Sequence, residues 1–209
     1  MLGGSVLTDR FVRAVALAIE VHGAQRRKGT DVTYVSHLLG VSGLVLEHGG
    51  DEDLAIAALL HDAVEDVQGG DGAGMAARIR EEFGDRVAHV VLGCSDTDVQ
   101  PKPPWRQRKE DYLAHLGEAD RDVLLVSCCD KLHNARTTVI ELHEHGPDFW
   151  LGGRQGHRFN AGPVEQVWYQ RRLVEVFTPR LGGDPVLQPL LAEFARTVAA
   201  IEQLAVPPG

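Results

Sequence analysis

The chain has 209 residues, 44% of them apolar and 24% charged, with a formal net charge of −9. That composition suits a globular enzyme with one substantial core and excludes a disordered chain. The acidic balance argues against a nucleic-acid backbone as partner, no run approaches the roughly 18 apolar residues of a membrane span, and Met1 to Asp9 lacks the pattern of a signal peptide.

The cytoplasm is therefore the expected compartment. Cys94, Cys128 and Cys129 form no paired framework and read as small buried hydrophobes in a reducing environment. Basic residues gather at Arg26-Arg27-Lys28 and from Lys102 to Lys109, enough for a local phosphate pocket.

The helical period recurs along the chain. Phe11, Val15, Ala18, Ile19 and His22 fall at three- and four-residue spacing, with Thr8 or Asp9 as cap. Gly29 to Thr33 reads as a loop, after which Ser36 caps a helix from His37 to Glu47 that stops at Gly49-Gly50. Asp51 and Asp53 open a third helix, whose Leu54, Ala57, Ala58 and Leu59 lead into His61. Gly69 to Gly74 reads as a flexible loop, followed by a helix from Met75 to Phe83 and another through Val87, Val90 and Val91.

Pro101, Pro103 and Pro104 mark a second loop before a charged helix from Trp105 to Leu116. Val123 to Cys129 alone fits a strand as well as a helix. The stripe continues through Leu132, Ala135 and Val139, which predicts one long helix from Asp122 to His143. Gly152 to Gly162 is a third loop, and helices from Pro163 to Phe177 and from Pro185 to Leu204 finish the chain. The expected fold is an all-α bundle, a single domain over 1–209.

The segment His61-Asp62-Ala63-Val64-Glu65-Asp66 carries the most chemistry. On a continuous helix His61 stacks over Glu65 and Asp62 over Asp66, so two potential metal ligands precede two carboxylates that can act as general bases. A His-Asp pair alone is usually a solvated patch. Here it follows the buried-type run Ala55 to Leu60, so four ionisable residues call for a cationic neighbour. His37 and Asp130 are candidates to complete a site, and Asp130 shares a helix face with Asn134. A structural carboxylate paired with Lys131 or Arg136 is the competing reading of Asp130.

Tyr34-Val-Ser-His37, Ala57-Ala-Leu-Leu-His61-Asp62-Ala-Val-Glu65-Asp66 and Asp130-Lys-Leu-His-Asn134-Ala-Arg136-Thr, with the earlier His22-Gly-Ala-Gln-Arg26-Arg27-Lys28-Gly, resemble the HD hydrolase domain of RelA/SpoT homologues. The resemblance runs from about residue 8 to 140, is strongest to the stand-alone small alarmone hydrolases, and implies an HD-type helical bundle with the 163–205 helices completing the domain. It implies a manganese ion on His37, His61, Asp62 and Asp130; general ligand rules also admit iron, zinc or magnesium. Glu65 and Asp66 are implied to activate the attacking water. The implied substrate is guanosine tetra- or pentaphosphate, a small nucleotide cleaved beside the ribose 3′ oxygen to give pyrophosphate and GDP or GTP.

Such a polyanion needs cationic clamps, for which Arg26 and Lys28 are the first choice. Asn134 is a candidate for hydrogen bonding to ribose or phosphate, and Tyr34 for stacking on guanine, with a core position as its alternative. Arg106, Arg108 and Lys109 read as a solvated face. His22, His133, His143 and His145 are expected at the surface or behind the ligands. The chain departs from the family's Pro-Tyr-Ile-x-His-Pro pattern at Thr33 and Leu38, and nothing carries over to the segment holding Trp150, Arg154, His157, Arg158 and Phe159, which reads as a lid or a surface loop. Another nucleotide substrate (a deoxynucleoside monophosphate or a nicotinamide dinucleotide phosphate), a non-catalytic nucleotide sensor and a helical adaptor remain as alternatives, and a homo-oligomer is compatible with the sequence.

Overall fold

The structure, a computed structural model, describes residues 7–95, 103–150 and 161–205. Every regular element among them is helical apart from one antiparallel bridge between Arg26 and Thr33. Pro101, Lys102, Arg154, His157, Arg158 and Phe159 lie outside the described residues.

Helix α1 (Asp9–His22) starts where expected: the Thr8 hydroxyl accepts the Arg10 N–H at 3.2 Å. Its buried side is Ala14, Leu17, Ala18 and His22, whereas Ile19 faces solvent. Of the predicted stripe, Ala18 and His22 are buried and Phe11 and Val15 pack against the core, so Ile19 alone departs from it. Arg10 ties the start of α1 to the start of α3 through Asp53 at 2.8 Å and Glu52 at 3.3 Å.

Helix α2 (Val35–Glu47) begins two residues ahead of the predicted start, with the Ser36 hydroxyl donating to the Thr33 carbonyl at 2.8 Å. Gly49, at φ +80°, turns the chain out of it in a conformation that suits glycine. Helix α3 (Glu52–Leu60) is capped by Asp51, whose carboxylate accepts the Leu54 N–H at 3.1 Å. Leu54 through Leu60 are all buried, the mark of a helix covered on every side.

The sequence reading ran this helix on through Asp66. The structure breaks it: α3 stops at Leu60, His61 and Asp62 form a turn, and α4 (Ala63–Asp66) is a single further turn. The cause lies in His61, whose ring takes the Ala58 carbonyl at 2.8 Å and so competes with the backbone ladder. Helix α5 (Gly72–Phe83) starts inside the predicted flexible loop, because Asp71 caps it by accepting the Gly74 N–H at 2.8 Å. Helix α6 (Asp85–Cys94) follows directly.

Helix α7 (Trp105–Glu118) precedes α8 (Arg121–His145), the long helix expected. Asp120 caps α8 by accepting N–H groups from both Asp122 and Val123. From Val123 to Leu132 all but Lys131 are buried, and α8 packs against α2, α3 and α6. Helix α9 (Pro163–Leu181) continues past Phe177: Pro179 in its last turn takes one N–H from the ladder, yet Leu181 still reaches the core. Helix α10 (Gln188–Ala205) starts later than expected because Asp184 organises a turn over 184–187. Both lie against α8. Among the described residues no helix is long and apolar enough to cross a membrane.

Leu125, fully buried in α8, is expected to cost about 3 kcal/mol when truncated to alanine, against about 1 kcal/mol for Asp120→Ala at the cap. Urea unfolding of the two variants checks this. Equal losses would mean that α8 is not the centre of the core.

Candidate metal centre

Three helices deliver the candidate ligands. His37 comes from the first turn of α2, His61 and Asp62 from the turn between α3 and α4, and Asp130 from the middle of α8. His37, His61 and Asp130 are buried, and Asp62 is partly so. One ligand atom from each of His37, His61 and Asp62 lies within 4.8 Å of the others. Asp130 Oδ1 reaches the same spot, 3.1 Å from His37 Nε2 and 3.6 Å from His61 Nε2, and Asp62 Oδ2 is 3.1 Å from His61 Nε2.

The protons say what this cluster can hold. A carbonyl only accepts, so the 2.8 Å contact of His61 Nδ1 with the Ala58 oxygen places the ring hydrogen on Nδ1. Nε2 of the neutral ring then presents a lone pair to the cluster. That atom and His37 Nε2 are both buried, and what each faces is a carboxylate oxygen 3.1 Å away. Two bare imidazole nitrogens facing two carboxylates fit a divalent cation of borderline hardness.

The electrostatics agree. Burial works to lower the His61 pKa, yet Asp62 and Asp130 hold it well above the ordinary imidazole range. A proton is therefore drawn to the place where a cation would replace it. His37 is held low by burial, against the pull of Asp130. Burial disfavours both carboxylate charges, but His61 keeps Asp62 ionised, and Lys131 followed by His61 does so for Asp130.

Asp130 also answers its competing reading. Its Oδ2 pairs with Lys131 at 2.5 Å while Oδ1 faces the imidazoles, so the structural and the ligand arrangement coexist; Arg136 pairs instead with Glu193. Asn134, one turn on, donates to Asp130 Oδ1 at 2.6 Å and accepts from Arg27 at 2.9 Å. Tyr34 is half-buried, and its hydroxyl donates to Asp62 Oδ2.

The centre forms the floor of a cleft of about 490 Å³, whose lining includes Arg26, Lys28, Glu65, Asp66 and Lys109. The segment from Gln25 to Tyr34 doubles back on itself, with Arg27 N–H bonded to the Val32 carbonyl and Tyr34 N–H to that of Gln25. Its extended backbone sends alternate side chains to opposite sides. Gln25 and Arg27 point inward, to Asp66 at 2.9 Å and to Asn134; Arg26 and Lys28 are exposed at the lip. Sequence reasoning singled out the outer pair and missed the inner one: alternation separates the two pairs, but which of them faces the centre is set by Asp66 and Asn134.

Other placements meet expectation in part. His22 is fully buried; its Nδ1 lies 2.6 Å from the side-chain oxygen Oε1 of Gln25, whose amide nitrogen donates to Asp66. His133 is half-buried behind His37, its pKa pushed down to about 4 by burial and then by His37 and Arg27. His143 and His145 are exposed, as read. Arg108 is largely buried and lines the cleft, whereas Arg106 is solvent-facing and stacks on Trp168, 3.3 Å from the ring centre. Phe149 and Trp150 are buried in a short turn after α8. Glu65 is half-buried and Asp66 exposed.

The model of the HD domain family matches residues 14–148. A guanosine-3′,5′-bis(diphosphate) 3′-pyrophosphohydrolase of Aquifex aeolicus is 36% identical over 134 residues, which are 63% of this chain and 18% of that protein. A probable GTP pyrophosphokinase of Mycobacterium leprae is 35% identical over 127 residues, 60% of this chain and 15% of that one. The chain therefore spans less than a fifth of the length of either relative. Among solved structures, a metazoan orthologue of SpoT that hydrolyses ppGpp superposes with a TM-score of 0.69 over 97% of this chain and 99% of its own, at 22% identity, which establishes a shared fold.

Tyr34→Phe keeps the ring and removes the donor to Asp62. It is expected to weaken divalent-metal binding by about tenfold with an unchanged helical spectrum, measured by competition with a chromophoric chelator. Unaltered affinity would show that the hydroxyl plays no part in orienting Asp62.

Proposed function

The chain belongs to the HD domain family, and from that premise we propose that it is a metal-dependent hydrolase of guanosine 3′-polyphosphates, releasing pyrophosphate and GDP or GTP. The observation that carries the reading is the pair of bare, buried imidazole nitrogens meeting two carboxylates beneath a basic lip. We take His37, His61, Asp62 and Asp130 as the ligands and manganese as the working ion. The protein is read as one catalytic unit over 1–209, with a nucleotide as its partner. We also place it in the cytoplasm, in keeping with three buried free thiols.

When bound, a divalent ion supplies Lewis acidity to the phosphoryl oxygens and to the attacking water. The protein's own groups do the rest. Arg27 is fixed by Asn134 and leaves guanidinium donors for a phosphate, with Arg26 and Lys28 adding charge at the lip. Glu65 and Asp66, at the cleft wall beside Asp62, accept the proton of the water as its oxygen bonds to the phosphorus next to the ribose 3′ oxygen; the bond from that phosphorus to the 3′ oxygen breaks, and the proton passes to the departing 3′ oxygen of GDP or GTP. Gln25 holds one oxygen of Asp66 at 2.9 Å and so aims the other. With the Tyr34 hydroxyl engaged by Asp62, its ring, 5.8 Å from the Arg27 guanidinium carbon, serves the centre and the clamp more directly than it serves a base.

The direct test is purified protein with manganese and guanosine tetraphosphate. Pyrophosphate and GDP are expected in equal amounts, and a chelator should abolish both. Preferential turnover of a deoxynucleoside monophosphate or a nicotinamide dinucleotide phosphate would replace the substrate, and tight binding without turnover over hours would make the protein a sensor.

Asp62→Ala and Asp130→Ala are expected to lose metal and activity together. Glu65→Ala should keep metal and substrate binding but lose at least about a hundredfold in kcat, since a general base acts mainly in the transition state. A Glu65→Ala rate equal to that of the parent would remove its assigned role. For the clamp, Arg27→Ala is expected to raise KM by about tenfold or more and Arg26→Ala by clearly less. Steady-state kinetics giving the reverse order would put the outer residue on the phosphate.

A further inference from the structure

His61 has a carbonyl to fix its ring hydrogen. His37 has none. Its Nδ1 lies 3.0 Å from the Nδ1 of another imidazole, His133 of α8. An imidazole can donate or accept, so this contact alone leaves the direction open. A cation on His37 Nε2 closes it: the lone pair goes to the ion, the ring hydrogen must sit on Nδ1, and an acceptor must meet it there.

We infer that His133 is a positioning residue for the metal centre, accepting the His37 Nδ1–H so that His37 holds its Nε2 bare toward the cation. The inference rests on the metal-centre reading above. Asp130 and His133 are three apart on α8 and share a face, so one helix supplies both a carboxylate and the group that orients the ligand opposite. The two rings meet edge to face, centroids 4.8 Å apart.

The seat for His133 is built on α2. Gly40 is three residues beyond His37, on the same face, and a Cβ at that position would run into the His133 ring at Nε2 and Cδ2. Any side chain there would push the ring off His37. Gly40 has no left-handed backbone angle to account for it, so the close approach of the ring is its structural reason. Glycine is a poor residue for a mid-helix position compared with alanine, and this packing explains its presence.

Three variants and one spectrum test the inference. His133→Phe keeps an aromatic ring and removes the acceptor, His133→Asn puts an amide oxygen near the place of Nδ1, and Gly40→Ala displaces the ring. Free manganese is counted by its electron paramagnetic resonance signal during titration of each protein. His133→Phe and Gly40→Ala are expected to bind manganese 10–100-fold more weakly than the parent, and His133→Asn to retain most of the affinity. In the zinc-loaded parent, long-range nitrogen–proton correlation should show the His37 hydrogen on Nδ1, a result that needs no variant to fold.

Equal weakening by Phe and Asn, parental affinity in His133→Phe, or a His37 hydrogen on Nε2 in the loaded protein would overturn the inference. The parent and Asp62→Ala separate it from the reading beneath it. If neither takes up manganese at the site, the metal centre itself fails and this inference with it. If the parent binds, Asp62→Ala does not and His133→Phe binds as the parent does, the role of His133 alone fails.

Discussion

A carboxylate sits in the buried middle of the longest helix, and the site is arranged around it. Asp130 lies among Val126, Cys128, Cys129 and Leu132, where an uncompensated charge would cost several kcal/mol. Compensation comes from four directions: Lys131 beside it, Asn134 one turn on, and the imidazoles of His37 and His61 across the helix interface. Those imidazoles reach Asp130 only if α2 and α3 both close on α8. The polar centre and the packing of the bundle therefore depend on one another.

Helix interruption is the second device. A helix running unbroken through His61 would have carried the backbone ladder of α3 on to Asp66. Instead the ring captures the Ala58 carbonyl, and that one hydrogen bond both ends the helix and selects the tautomer that frees Nε2. Asp62 falls in the same turn, where Tyr34 donates to it from the start of α2. Local backbone and ligand chemistry are settled by the same contact.

The cleft above divides into a rigid inner layer and an open rim. Gln25, Arg27 and Asn134 are cross-linked to Asp66 and Asp130, so a phosphate would meet side chains already held in place. Arg26 and Lys28 are exposed and contribute charge more than geometry. Preorganised donors beneath an exposed cationic lip would suit the polyanion proposed as substrate.

Much of this was legible in the residue order. The helical stripes, the caps at Thr8 and Asp51, the long α8 and the four residues that meet at the centre follow from periodicity, capping chemistry and motif resemblance, all of them local or pattern-borne. What the sequence could not show depends on competition between distant groups. That α3 breaks at His61, that Arg27 rather than Arg26 turns inward, that Tyr34 serves Asp62, and that His133 stands behind His37 over Gly40 are set by contacts spanning from three residues to more than a hundred along the chain. Periodicity places a side chain on a face of its own helix; which partner waits across that face is decided only when the helices pack.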